Sequence, residues 1–159
     1  MKKVKEVIKA PMGETTVLLH TCCAPCSSAI IEAMMKNGIT PVIYYCNPNI
    51  YPQEEYEIRK NECTRYAQSL GLEIVDADYD HDNWLEAIRG MEDEPERGGR
   101  CLKCFKLRLL RTAEYAMQRG IKVNALCESH IKRNISAKAL YQSILGNVSK
   151  AVGLNALRV

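Results

Sequence analysis

Hydrophobic and polar positions follow two periods along this chain. Thr16–Thr21 is a near-continuous apolar run, the pattern of a strand buried on both faces, and Pro41–Tyr45, Glu73–Asp76 and Ile121–Cys127 read as three further strands. Between them the spacing turns helical. Ser27–Lys36 places Ile30, Ile31, Met34 and Met35 together and closes at Asn37-Gly38. Gln53–Leu70 aligns Tyr56, Cys63, Tyr66, Ala67 and Leu70 before Gly71. A short helix is expected over Trp84–Ile88. A long one opens at Cys101 and runs to about Arg119, with Leu107, Leu110, Thr112, Ala113 and Ala116 inward and Gly120 as its stop. Ser136–Val152 is read as the last helix.

The connecting segments carry the polar chemistry. Cys46-Asn47-Pro48-Asn49-Ile50-Tyr51-Pro52 is a structured loop, because its prolines and asparagines exclude helix and central strand. Asp76–Asp82 is rich in aspartate and includes Tyr79 and His81, and Gly90–Arg100 is a polar loop or lid with Pro95 and Gly98-Gly99. The alternation of strands and helices predicts one α/β domain over residues 15–159, after an N-terminal extension over 1–14. Its sheet is parallel, of about four strands, with helices on both faces. In such a sheet the loops after the strands share one rim, where ligands bind.

Composition narrows the class without choosing a function. At 159 residues the chain has room for a real core, and 47% hydrophobic with 26% charged residues is ordinary for a globular protein. The net charge of +3 permits an RNA or phosphate partner without requiring one. Met1-Lys2-Lys3-Val4-Lys5 is basic but leads into no apolar signal segment, and no run reaches membrane-spanning length, so a cytoplasmic protein with no membrane partner is expected.

The cysteines change the picture. There are eight, and five fall in two tight groups, Cys22, Cys23 and Cys26 at a strand-to-helix junction and Cys101 with Cys104 at a helix start. Pro25 suits the first turn of a helix, and a helix N-terminus favours thiolate. Cys22 and Cys23 can share a ligand only if the chain turns there, since neighbours in a strand point to opposite faces. Three chemistries fit these groups. They are an iron–sulfur cluster, a thiolate-rich zinc site, and a thiol–disulfide centre using Cys23 and Cys26, whose disulfide bond would form in a C-x-P-C arrangement. Cys46, Cys63 and Cys127 read as small buried hydrophobes, although the Cys46 loop reaches the same rim.

Three stretches carry a resemblance. His20-Thr21-Cys22-Cys23-Ala24-Pro25-Cys26, then Asn47-Pro48-Asn49-Ile50 with Tyr56 and Arg59, then Pro95–Cys104 with Arg108-Leu109 resemble, in this order, the QueH family of epoxyqueuosine reductases. The fold is then expected to be Rossmann-like, similar to the adenine-nucleotide alpha-hydrolases. The resemblance implies reduction of epoxyqueuosine to queuosine at the tRNA wobble position, the last step of queuosine biosynthesis. It also implies a [4Fe-4S] cluster beside one additional metal ion, iron or zinc, and an electron donor. By position, Cys22, Cys23, Cys101 and Cys104 are the implied metal-site thiolates, and Cys26 suits the lone metal. From residue 121 on, the chain departs from the family pattern. Asn124–Lys132 only echoes a Thr-rich segment, and no further cysteine motif precedes Val159, so this end reads as divergent or truncated.

Removing an epoxide oxygen takes two electrons and two protons and releases water. His20 and Tyr56 are the candidate catalytic proton donors, His20 for its neutral-range pKa and its place beside the cysteines, with Tyr79 and His81 as further acids. Asn47 and Asn49 are candidates for the substrate ring or its hydroxyls. Arg59, Arg97, Arg100 and Arg108 are candidates for phosphate contacts. A zinc- or cluster-stabilised RNA-binding domain without catalysis and a small-molecule thiol oxidoreductase are the competing functions.

Overall fold

The strand that organises the domain, β1 (Thr16–Thr21), is buried along nearly its whole length because a parallel strand flanked on both sides must be apolar on both faces. The structure, a computed structural model, describes residues 9–126 and the backbone of Asn155–Ala156. After a 3-10 turn at Pro11–Gly13 the order is β1, α1 (Ala24–Lys36), β2 (Thr40–Tyr45), α2 (Gln53–Ser69), β3 (Ile74–Asp76), α3 (His81–Ala87), α4 (Gly99–Arg119) and β4 (Val123–Leu126). The two-residue β5 (Asn155–Ala156) pairs with the outer edge of β4. The expected helix over Ser136–Val152 and the lone Cys127 lie outside the described residues.

The strands run parallel in the order β3-β2-β1-β4-β5. The first two crossovers step outward from β1 to β3, and the third returns past them to set β4 against β1. Alternation along the strands divides the core. Val17, Leu19, Ile43, Val123 and Ala125 pack with Ile30, Ile31 and Met34 of α1 and Ala67 of α2. Leu18, Val42 and Tyr44 face Ala116 of α4. Helices thus cover both faces, as the pattern predicts. The strand order reverses between β1 and β4, the kind of place where open α/β sheets bind ligands. The chain leaving β1 at that point is Cys22–Cys26.

Several boundaries differ from the sequence expectation. Helix α1 begins at Ala24 rather than Ser27, with Cys23 as its extended cap and Pro25 in the first turn, so Cys26 is helical. Helix α3 starts at His81 because the Asp80 side chain accepts from the Asn83 N–H and caps it. Helix α4 starts at Gly99 and buries Arg108 and Leu109, whereas Leu107 and Leu110, expected inward, are only half-buried. Thr112, Ala113 and Ala116 face in as expected, and Arg108 with Leu109 takes the inward place nearer the helix start.

Candidate metal centre

The end of β1 and the start of α1 bring three thiols together. Cys23 holds an extended backbone (φ −166°, ψ 158°) before the helix turns, and the sulfurs of Cys22, Cys23 and Cys26 all lie within 4.8 Å of one another. Cys22 and Cys23, neighbours in sequence, have their sulfurs 3.8 Å apart. The turn required for adjacent cysteines to share a ligand is therefore present. Burial, and then the Cys26 side chain, push the Cys23 thiol up from its ordinary pKa.

The second group arrives from the other side of the crevice. Cys101 and Cys104 lie in the first turns of α4 and line the same cleft, of about 440 Å³, as the first three thiols. The turn before α4 is shaped for this approach. Arg97 adopts the left-handed region (φ 72°), and its N–H donates to the Cys101 sulfur at 3.3 Å. A Cβ at Gly98 or Gly99 would stand 2.9 or 2.8 Å from a carboxylate oxygen of Glu94, so that side chain would have to shift. That carboxylate accepts from the Arg100 N–H at 3.2 Å and so occupies the helix N-terminus.

Four polar atoms around the cleft are buried with no partner among the described residues: Asn47 Oδ1, Asn49 Oδ1, Trp84 Nε1 and Arg108 Nε. Buried polar groups are ordinarily paired, so together they outline a space for a polar ligand. Asn47 is itself anchored, its Nδ2 donating to the Thr21 carbonyl at 2.8 Å. Arg59, Arg97, Arg100 and Arg108 line this space against one carboxylate, that of Glu96. Arg59 is also paired with Glu55 at 2.6 Å, and Arg100 Nη1 donates to the Glu92 carbonyl at 2.8 Å. Arg108 is 6% exposed, and the ring of Phe105 lies 4.8 Å from its guanidinium carbon.

The two candidate proton donors sit elsewhere. His20, 2% exposed, lies behind the cysteines with Nε2 2.8 Å from the Cys46 carbonyl oxygen, tying β1 to the loop after β2. Tyr56 is 1% exposed, and its hydroxyl bonds to Asp76 Oδ1 at 2.9 Å and the Ala77 carbonyl at 3.1 Å. Neither lines the cleft. Cys46 and Cys63 are buried within core clusters, Cys46 with the Arg111 guanidinium also acting on its thiol. Among the described cysteines none is in a disulfide. Sequence reasoning missed Trp84 as a lining residue; its signal was being the chain's sole tryptophan, one turn from the aspartate-rich loop.

Five thiols in one crevice make a soft donor set suited to iron–sulfur clusters or zinc rather than to hard cations. The cations around them can offset thiolate charge. No helix of the described residues is long and apolar enough to cross a membrane.

The sequence profile described as Epoxyqueuosine reductase QueH matches residues 17–150, a span containing every residue of this cleft. Proteins named Epoxyqueuosine reductase QueH from Haemophilus influenzae and Histophilus somni are each 48% identical over 124 residues, covering 78% of this chain and 51% of theirs. Its counterpart from Acinetobacter baylyi is 46% identical over 123 residues, covering 77% of this chain and 56% of its own. The chain spans about half the length of the curated relatives it matches.

Proposed function

Because this chain belongs to the QueH family of epoxyqueuosine reductases, we propose that it reduces epoxyqueuosine to queuosine at the wobble position of tRNA. The observation that carries this reading is the convergence of Cys22, Cys23 and Cys26 with Cys101 and Cys104 in one cleft. In this reading Cys22, Cys23, Cys101 and Cys104 hold a [4Fe-4S] cluster, and Cys26 serves a second metal ion, iron or zinc. Such a centre supplies electrons singly and a Lewis-acidic position beside them.

The rest of the cleft binds and orients. The substrate's hydroxylated ring needs donors and acceptors, and the four unpartnered atoms offer both, Asn47 and Asn49 through carbonyl oxygens and Trp84 and Arg108 through N–H groups. Arg59, Arg97 and Arg100 meet the phosphates of the RNA on either side. His20 and Tyr56 serve as ties that set the Cys46–Pro52 loop and the end of β3, because their hydrogen bonds are to protein groups.

The test is anaerobic incubation of metal-loaded protein with dithionite, standing in for the electron donor, and tRNA bearing epoxyqueuosine, followed by nucleoside analysis. Queuosine should appear in proportion to loaded centres. A fully loaded protein that forms none overturns the reading.

A further inference from the structure

Beside the cleft lies an aromatic array that the thiol site does not use. Tyr51 from the loop after β2 and Tyr79, His81 and Trp84 around the start of α3 hold their rings nearly parallel. The Tyr51 and His81 centroids are 5.3 Å apart with planes 17° from parallel, Tyr79 and His81 5.6 Å and 18°, and His81 and Trp84 5.4 Å and 20°. The array is held from below. His81 Nδ1 lies 2.6 Å from the Pro48 carbonyl oxygen, so that nitrogen carries the proton, and the Tyr79 hydroxyl donates to the Ile50 carbonyl at 2.5 Å.

Its outer ring is open. Tyr51 is 74% exposed, yet its ring is kept in register with His81 rather than folded into the core. The array is also continuous with the cleft, since Trp84, Asn49 and Ile50 line the cleft themselves. Arg59, Arg97 and Arg100 line that same cleft. A preset flat aromatic surface beside guanidinium groups fits a partner that is itself flat, aromatic and anionic between its rings, which describes single-stranded nucleic acid.

We propose that the exposed face of Tyr51, backed by His81, is a stacking platform for the base next to the nucleotide held in the cleft. This rests on the proposed reading of the cleft as a tRNA site and adds to it a contact that any base can make, because every base has a π-face. The arginines position the backbone through charge, whereas the platform acts through stacking and so varies little with salt.

The experiment measures binding of an anticodon stem-loop RNA to the anaerobically purified protein by fluorescence anisotropy. Wild type, Tyr51→Ala and Tyr51→Trp are compared on intact RNA and on RNAs made abasic at either neighbour of the wobble nucleotide. Tyr51→Ala should weaken intact RNA by about 5- to 100-fold at constant salt dependence, and Tyr51→Trp should retain binding. One abasic RNA should bind wild type as weakly as the intact RNA binds Tyr51→Ala, with no further loss when the two changes are combined. The proposal is overturned if wild type binds no RNA, if Tyr51→Ala binds intact RNA as wild type does, or if the two losses multiply at both neighbours. The open position of Tyr51 lets these variants fold, which circular dichroism checks. Turnover of epoxyqueuosine is scored separately. A loaded wild type that turns over while Tyr51→Ala binds normally removes the platform alone, and a loaded wild type that does not turn over removes the catalytic reading while the binding comparison still decides the platform.

Discussion

Cys104 and Arg108 stand one turn apart on α4, both buried and both lining the thiol cleft. Among the described residues no carboxylate lies within ion-pair distance of Arg108. A buried cation without a counter-charge costs several kcal/mol, so the thiolates that a bound metal would hold in the cleft are its natural complement. Arg108→Leu should weaken metal retention about tenfold or more, from the roughly 1.5–3 kcal/mol of a hydrogen bond to a charged group. Competition with a metallochromic chelator measures it. Undiminished retention would leave the guanidinium with its substrate contact alone.

The cysteines divide by position into those of the cleft and those of the core. Burial pushes the Cys63 thiol up to about 12, and it packs with Tyr45, Ile50 and Tyr56. Cys63→Ala should leave the metal-to-protein ratio unchanged while costing about 1 kcal/mol in packing. Cys23→Ser or Cys101→Ser should instead cut bound metal sharply with little loss in the apo-protein's melting temperature. Elemental analysis after gel filtration, paired with thermal melts, separates the two classes.

Asn47 is 1% exposed, and its amide donates to the carbonyl of Thr21 at 2.8 Å, fastening the loop after β2 to the end of β1. Asn47→Asp puts a carboxylate against that carbonyl and should destabilise by about 1–3 kcal/mol at neutral pH. Only the protonated acid can donate, so the new group's folded-state pKa is raised above its unfolded value of about 4. The penalty is then full above the raised pKa and shrinks as pH falls toward about 4. Urea midpoints of variant and wild type that stay equally far apart across this range would show that the amide is not the tie.

Asp80 links α3 to α4, accepting from Arg111 at 2.6 Å while capping its own helix. The Arg111 guanidinium holds its carboxyl below the ordinary range. A lowered folded-state pKa gives stability that is present above the unfolded value near 4 and lost as pH falls through the folded one. The carboxylate is 40% exposed, so solvent screening keeps the effect small. Asp80→Asn should melt a few degrees below wild type at pH 7 and converge with it near pH 2. A constant difference in melting temperature at both pH values would attribute the loss to capping alone.

Much of the frame was legible because it is local. Apolar runs marked the strands, helical spacing marked the helices, and the strand-to-helix cysteines marked the rim where a ligand binds. The tie between Tyr56 and Asp76 was not legible. Tyr56 shares its helical face with Cys63 in the sequence, but its hydroxyl meets Asp76 across the β2–β3 edge, a pairing that no spacing within α2 encodes. Likewise the inward turn of Arg108 runs against its residue type, since arginine at helical spacing ordinarily faces water.

By itself the amino-acid order determined the parallel α/β frame, the two groups of thiols and the family they resemble, since each depends on short-range pattern and residue chemistry. Folding decided what those thiols face. The return of the chain from β3 over the opposite side of the sheet brings α4, with Cys101, Cys104 and a buried cation, to the cleft that Cys22, Cys23 and Cys26 line. It also stacks Tyr51 on His81 from different loops. These meetings arise from sheet topology and from the exclusion of water between packed elements, and so exist only once the whole chain is in place.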